Sequence, residues 1–304
     1  MAELNVMIGL PGGGKSFWAE YVANQNDSVL IEADKIRKEV FGNRQTRETH
    51  QEVFAYCHRM IKDGLNAEKN VVFDATNLSY KHRKRFIEIA RTCGATVVAT
   101  LVATPWDECL SNNENRERTL PIEVMENMRK NFTVPFAGEG WDKMSIIWNS
   151  QNLSSYTERF SISDLFREMD GFEQNNRHHS MTLGGHCRGA REIGKAHGDS
   201  LRVAGQFHDI GKLWTKKFET MKGVPTKDAH YFNHENVGAY MAMPYLKSEQ
   251  YSDEFILEVC ALIQFHMRPY QAKSERAKNK LMNLTGARAY VDLMKLHEAD
   301  KAAH

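Results

Sequence analysis

The sequence predicts two folds in series: an α/β domain with a parallel sheet over residues 1–150 and an all-α helical domain over 163–304, joined by a linker at 151–162. Three observations predict this. Up to about residue 150, short apolar runs alternate with longer amphipathic stretches, the pattern of strands connected through helices. Beyond residue 163, apolar residues recur at spacings of three and four and no convincing strand is found, so the second half is expected to be entirely helical. Between the two lies Asn149-Ser150-Gln151-Asn152-Leu153-Ser154-Ser155-Tyr156-Thr157, polar and weakly periodic, which suits a linker.

In chain order, the strand candidates are Asn5 to Ile8, Val29 to Ile31, Val71 to Phe73, Thr96 to Val102 and Ile146 to Trp148. Each is a nearly continuous apolar run, as expected of parallel strands buried on both faces. Helices fill the gaps, for example Lys15 to Ala23 and Lys81 to Cys93. In the second half, helices are predicted over Thr182 to Ala196, Leu201 to Phe207, Glu254 to His266 and Ala287 to Ala302.

Composition bounds the function. A chain of 304 residues can build two cores. Its formal net charge of +1 gives no bulk field toward nucleic acid or anionic membrane, so any basic binding surface must be local. The five cysteines, Cys57, Cys93, Cys109, Cys187 and Cys260, are odd in number and never spaced Cys-x-x-Cys, which argues against a disulfide framework and a zinc knuckle. A reducing cytoplasm is the expected location. The first apolar run is too short for a signal sequence, and no segment approaches a membrane span.

Chemistry concentrates in two places. Gly9-Leu10-Pro11-Gly12-Gly13-Gly14-Lys15-Ser16 matches the eight-position P-loop pattern directly after a predicted strand. In such a turn Gly9, Gly12, Gly13 and Gly14 let backbone N–H groups face phosphates, Lys15 reaches the outer phosphates and the Ser16 hydroxyl ligates Mg²⁺. ATP and Mg²⁺ are thus expected. Asp34 and Arg37 follow the second strand, where parallel sheets bind ligands, and a carboxylate there can accept a hydroxyl proton. A helix-capping Asp with a solvated Arg has the same pattern. Asp74 ends the third strand, as a Walker-B-like carboxylate near the metal would. Arg116 and Arg118 lie in a charged loop before Pro121 that could close over a transferring phosphate. Lys81-His82-Arg83-Lys84-Arg85 could follow a phosphate backbone or form a solvated helix face.

The order of P-loop, Asp-x-x-Arg, strand-Asp-x-Thr-Asn, arginine loop and Pro-Ile-x-Val helix resembles the kinase domain of bacteriophage and bacterial polynucleotide 5′-kinases, over about residues 3–148. The resemblance implies an α/β P-loop kinase domain with ATP as donor and a 5′-hydroxyl polynucleotide end as acceptor. It further implies Asp34 as general base, Arg37 as contact to the acceptor phosphate and Asp74 as the third-strand carboxylate. The loop departs from the pattern by one position, so Arg116 and Arg118 both stand as the lid arginine.

In the second half, His186, the pair His208-Asp209, His234, His266 and Asp300 combine imidazoles and carboxylates, which suit divalent metals such as Mn²⁺, Fe²⁺, Co²⁺, Ni²⁺ or Zn²⁺. Their spread over residues 163–304 resembles the HD phosphohydrolase superfamily, a helical bundle. That resemblance implies an HD-type domain in which His186, His208, Asp209 and Asp300 hold one metal, while His234 and His266 add a second with Asp209 bridging. His179 and Lys212 could contact the scissile phosphate. His50, His58, His82, His197 and His297 have no such setting.

Together these readings imply a bifunctional end-healing enzyme acting on RNA or DNA ends, a 5′-kinase joined to a 2′,3′-phosphoesterase or 3′-phosphatase. No lysine motif for sealing is present, so a separate ligase would complete repair. Two alternatives remain open: a nucleoside or nucleotide kinase fused to an HD nucleotidase, and an ATP-switched RNA-binding regulator with a non-catalytic HD scaffold.

Overall fold

The computed structural model describes residues 1–42, 44, 46–116, 119–150, 159–177 and 180–303. It divides into two compact units, one of Met1–Met125 with Glu139–Gln151 and the other of Glu126–Gly138 with Asn152–His304.

The first unit is built on five parallel strands: β1 (Glu3–Ile8), β2 (Val29–Glu32), β3 (Val71–Asp74), β4 (Thr96–Ala103) and β5 (Lys143–Trp148). Their order in the sheet is β2-β3-β1-β4-β5, so β1 lies at the centre and the glycine-rich turn leaves from its carboxyl end. Every side chain of β3 is buried, as are the last five of β1 and the last seven of β4. That is why these strands read as unbroken apolar runs. The helices are α1 (Lys15–Gln25), α2 (Ala33–Phe41), α3 (Arg47–Asn66), α4 (Tyr80–Thr92), α5 (Trp106–Glu114) and α6 (Ile122–Lys130), the last running across the division between the units. Thr46 and Ser79 cap α3 and α4 by accepting from Thr49 and Lys81 backbone N–H groups. Ala19 and Ala23 of α1 pack with Met7, Val72 and Val102, and Phe73 meets Phe86 of α4 at 4.6 Å between ring centroids. Burying each large apolar side chain contributes roughly 1.5–3 kcal/mol.

The second unit contains α7 (Ile162–Asp170), α8 (Leu183–Gly194), α9 (Asp199–Phe207), the single turn α10 (Lys212–Thr215), α11 (His234–Ser248), α12 (Asp253–Phe265), the single turn α13 (Arg268–Gln271), α14 (Glu275–Thr285) and α15 (Ala287–Ala302). Ser161, Thr182, Ser252 and Ser274 cap α7, α8, α12 and α14. A Cβ on Gly205 would lie 2.8 Å from the Ala190 carbonyl, so glycine at this position lets α9 press against α8.

One sequence expectation is corrected. The region is helical but not wholly so, because β6 (Lys216–Glu219) and β7 (Pro225–Tyr231) pair antiparallel between α10 and α11. Their side chains are mostly half-buried and polar, with Ala229 alone buried, so no apolar alternation marks them; the turn at Gly223, with φ of 76°, is the one local signal. The last division between the units falls between Gln151 and Asn152, and Glu126–Gly138 groups with the second unit. There Phe132 packs edge-on to Tyr240 and Phe136 to Phe265, and Gln264 donates to the Val134 carbonyl at 3.0 Å. These apolar residues fill a core built from residues more than a hundred positions away, which sequence order does not display. Of the expected linker, residues 151–158 lie outside the described residues.

Candidate active sites

In the first unit, the turn after β1 owes its shape to glycine. Gly12 has φ of 75° and a Cβ there would stand 2.2 Å from the Cys109 carbonyl oxygen. The turn's own carbonyls are held by side-chain donors: Asn112 to Gly12 O at 2.9 Å, Thr104 to Gly13 O at 2.8 Å and Asn149 to Gly13 O at 3.1 Å. The Gly9 and Gly13 N–H groups donate to the Thr76 and Leu10 carbonyls at 3.2 and 3.1 Å, so these two amides hold the shape of the turn and are not free to face an anion as the sequence reading expects. Sequence reasoning missed Thr104, Asn112 and Asn149. Their signal is weak, lying only in a position after β4, on α5 and after β5.

Lys15 is buried and donates to Leu10 O at 2.9 Å. Burial depresses its pKa, the nearby Asp74 opposes this, and Cys109, Arg116 and Asp34 also act on it electrostatically. The charges of Asp74, Asp34 and Arg116 are thus all felt at Lys15. Ser16 Oγ donates to Asp74 Oδ2 at 2.6 Å, while Asp74 Oδ1 is buried without a hydrogen-bond partner. A hydroxyl beside a carboxylate with an unused buried oxygen suits Mg²⁺, a hard cation that takes oxygen ligands.

Asp34 lies on the first turn of α2 with its side chain 82% exposed, and Arg37 Nη1 donates to its Oδ1 at 2.6 Å. Arg37 is itself buried, and its Nη2 faces His50 Nδ1 at 3.3 Å. His50 was thus overlooked as a neighbour of this pair; burial and the Arg37 charge both lower its pKa, which favours the neutral ring. Arg83 is a correction. It is fully buried, forms two bonds to Glu139 at 2.8 and 2.6 Å and donates to the Asn77 and Leu78 carbonyls, so it is not available to follow a phosphate backbone. Arg116 is exposed, and Arg118 lies outside the described residues.

In the second unit all six expected donors converge. His186 comes from α8, His208 and Asp209 from the end of α9, His234 opens α11, His266 follows α12 and Asp300 lies on α15. They form two triads, His186, His208 and Asp300 in one and Asp209, His234 and His266 in the other. In the first, His186 Nε2 stands 3.1 Å from His208 Nε2 and 3.0 Å from Asp300 Oδ1. In the second, His234 Nε2 stands 3.2 Å from His266 Nε2 and 3.1 Å from Asp209 Oδ1. Asp209 faces both, because its Oδ2 is 3.5 Å from His186 and from His208.

Each imidazole has its other nitrogen beside a backbone carbonyl: His186 Nδ1 at Ala303 O, His208 at Gly205 O, His234 at Tyr231 O and His266 at Ile263 O, at 3.4, 2.8, 2.8 and 2.6 Å. A proton on Nδ1 satisfies each carbonyl and leaves the Nε2 lone pairs pointing at one another, an arrangement that calls for a cation between them. The carboxylates agree. Burial pushes Asp209 upward, but Lys212 and His208 outweigh it and hold Asp209 well below the usual carboxylate range. Burial likewise works against ionised Asp300, and His208 and His186 overcome it. Burial lowers His186, yet Asp300 and Asp209 raise it overall. The donor set therefore fits divalent metal.

A cleft of about 280 Å³ opens onto this cluster and is lined by Asp209, Lys212, Tyr231, His234, Tyr270 and Asp300 among others. Lys212 Nζ lies 2.5 Å from Asp209 Oδ2 and donates to Gln174 Oε1 at 2.8 Å. Tyr270 donates to Asp300 Oδ2 at 2.9 Å, and burial together with Asp300 raises its pKa, so it remains a donor. Sequence reasoning missed Tyr270 and Gln174. His179 lies outside the described residues. All five cysteines are unpaired, and among the described residues no helix is long and apolar enough to cross a membrane.

Comparison with known proteins finds one family match in each half of the chain. Residues 4–135 match the AAA domain family and residues 178–302 the HD domain family. An L-seryl-tRNA(Sec) kinase of Methanococcus maripaludis is 27% identical over 178 residues, which is 57% of this chain and 66% of that protein. A protein of Acanthamoeba polyphaga mimivirus named "Putative bifunctional polynucleotide phosphatase/kinase" is 28% identical over 153 residues, 48% of this chain and 33% of that protein. The chain thus spans about two thirds of the first relative and one third of the second. Among solved structures, the Pnkp1/Rnl/Hen1 RNA repair complex is similar at 20% identity and a TM-score of 0.40, over 43% of each chain. A P-loop kinase-type domain of the AAA family and an HD domain are joined in this one chain.

Proposed function

We propose that this chain heals broken nucleic-acid ends, phosphorylating a 5′-hydroxyl with ATP and removing a 2′,3′-cyclic phosphate or 3′-phosphate at a two-metal HD centre. The observation that carries the reading is the pairing, in one chain, of a phosphate-binding turn with six buried metal donors that Asp209 links into two triads. Two curated relatives support a nucleic-acid acceptor, since their names specify a tRNA-borne and a polynucleotide substrate.

At the kinase site, Asp34 is exposed enough to meet a terminal hydroxyl and would accept its proton as the oxygen attacks the γ-phosphorus. Arg37 and His50 orient Asp34, with Arg37 also available to the acceptor's phosphate. Lys15 would exchange the Leu10 carbonyl for phosphate oxygens, and Arg116 would close on the transferring group from its exposed loop. Ser16 and Asp74 would hold Mg²⁺. At the HD site, His186, His208 and Asp300 would hold one ion and His234 and His266 another, with Asp209 shared between them. When bound, two such ions neutralise phosphate charge and lower the pKa of a water between them. Lys212, beside Asp209 and at the cleft, would orient the terminal phosphate, and Tyr270 fixes Asp300. A separate ligase would then join the healed ends.

The test offers the purified chain an RNA bearing a 5′-hydroxyl and a 2′,3′-cyclic phosphate, with ATP, Mg²⁺ and, separately, Mn²⁺, Co²⁺ or Ni²⁺. Gain of a 5′-phosphate with loss of the terminal 3′-side phosphate is expected. Unchanged RNA ends alongside turnover of free nucleosides or nucleotides would replace this reading with a small-molecule one.

A further inference from the structure

We infer that the second unit grips the last nucleobase of a polynucleotide 3′ end, stacking it on a platform made of His230 and Phe232 beside the metal cluster. The inference rests on the end-healing reading and names the part of the substrate that this site holds besides the phosphate. The cleft of about 280 Å³ whose lining contains Asp209, His234 and Asp300 is also lined by His230, Phe232 and Met267. One cleft therefore joins donors suited to a metal-bound phosphate with flat and polarisable apolar surface. A ligand that matches both carries a phosphate and a flat ring on one short linker, as a terminal nucleotide does.

The platform is a pair of parallel rings. His230 and Phe232 stand two residues apart at the end of β7, and their rings stack with centroids 5.4 Å apart and planes within 7° of each other. Both are half-buried, so the fold holds each ring while part of its surface meets the cleft. Two rings stacked in this way use one face each, and a base laid on an outer face continues the stack. Every base has such a face, so the platform suits any terminal residue of the polymer and gives nothing to a phosphoester without a base.

Chain connectivity sets the distance between platform and metal donors. Asn233, with φ of 60°, turns the end of the strand into α11, whose first residue is the donor His234. Phe232 and His234 are thus two residues apart, with at most about 7 Å between their Cα atoms. A nucleotide bridges a span of the same order, because its base and its 3′-phosphate sit on one ribose. The backing is firm: Lys217 of β6 pairs with His230 across the hairpin, and the Tyr231 hydroxyl, between the two rings in sequence, donates to the Gln174 carbonyl.

The experiment measures kcat and KM of the full, Mn²⁺-loaded chain on two RNAs with the same terminal phosphate, 2′,3′-cyclic in one series and 3′-linked in the other. One RNA ends in an ordinary nucleotide and its counterpart in 1-deoxyribose, the same sugar without a base. The unmodified chain is expected to show a KM about 5–100-fold lower for the base-bearing end, the range for one stacked base. The paired change Phe232→Leu with His230→Leu keeps apolar volume, removes both flat faces and should erase the preference, whereas Phe232→Trp should retain it. Because both ends are assayed on one sample, any loss of folded chain cancels from the ratio; should the paired variant be inactive, Phe232→Leu alone decides and should reduce the preference. Equal kcat/KM for the two ends in the unmodified chain, or a preference that survives removal of the rings, would overturn the platform. Hydrolysis of neither end would overturn the end-healing reading itself, and the platform with it.

Discussion

The two candidate sites handle phosphate with opposite materials. At the first, one contiguous turn supplies the amides, with a lysine and a hydroxyl following directly, and other elements only brace it through Thr104, Asn112 and Asn149. At the second, six side chains from five helical segments converge, and the backbone serves only to select tautomers through the Gly205, Tyr231, Ile263 and Ala303 carbonyls. A site made from backbone tolerates change in its neighbours as long as the turn keeps its shape. A site made from converging lone pairs depends on every helix that delivers one.

The largest effect that would sharpen this contrast is expected at Asp209. Asp209→Ala takes a donor from both triads and should lower phosphoester hydrolysis by about 10⁴-fold while leaving 5′-phosphorylation intact, as followed on both ends of a labelled RNA. Chelation by 1,10-phenanthroline with Mg²⁺ in excess should reproduce that split on the unmodified chain. Asp34→Ala should do the reverse, slowing 5′-phosphorylation by ~10²–10⁴-fold, the range for a positioned base, with ATP affinity retained. Full kinase turnover in that variant would remove Asp34 from the mechanism. If either substitution destroyed both activities in a folded chain, two independent sites would be the wrong description.

Smaller effects test how each site is supported. Arg83→Ala leaves the buried Glu139 carboxylate without its guanidinium and should cost about 3–5 kcal/mol in the first unit. Urea unfolding read by tryptophan fluorescence reports this, because Trp18, Trp106, Trp141 and Trp148 all lie in that unit. Tyr270→Phe deletes only the hydrogen bond to Asp300 and should weaken metal affinity by about 10–100-fold, measured by competition against a chelator. An unchanged affinity would mean that Asp300 is oriented by its imidazole neighbours alone.

Legibility in the sequence followed the same division. The three inner strands β1, β3 and β4 were readable because double-sided burial makes them largely apolar, the half-buried edge strands β2 and β5 because they are short apolar runs between longer amphipathic stretches, and the P-loop because its chemistry is local. Asp34 and Asp74 were readable from their place after strands, whereas His50 was dismissed because nothing local connects it to Arg37 thirteen residues earlier. Arg83 looked like one member of a basic run, and only packing reveals the buried pair with Glu139. The β6–β7 hairpin escaped because a half-buried hairpin of mostly polar side chains carries no apolar alternation.

The sequence by itself determined the kind of each fold and the phosphate turn, since these rest on local periodicity and side-chain chemistry, and its resemblance to the HD superfamily singled out the six imidazole and carboxylate residues that the structure brings together. Tertiary structure alone decided that Asp209 stands between two triads, that Tyr270 and Gln174 support the cluster, and that Glu126–Gly138 belongs to the helical unit. Those facts depend on which helix faces meet, and the meeting of faces is set by long-range packing that no short stretch of chain encodes.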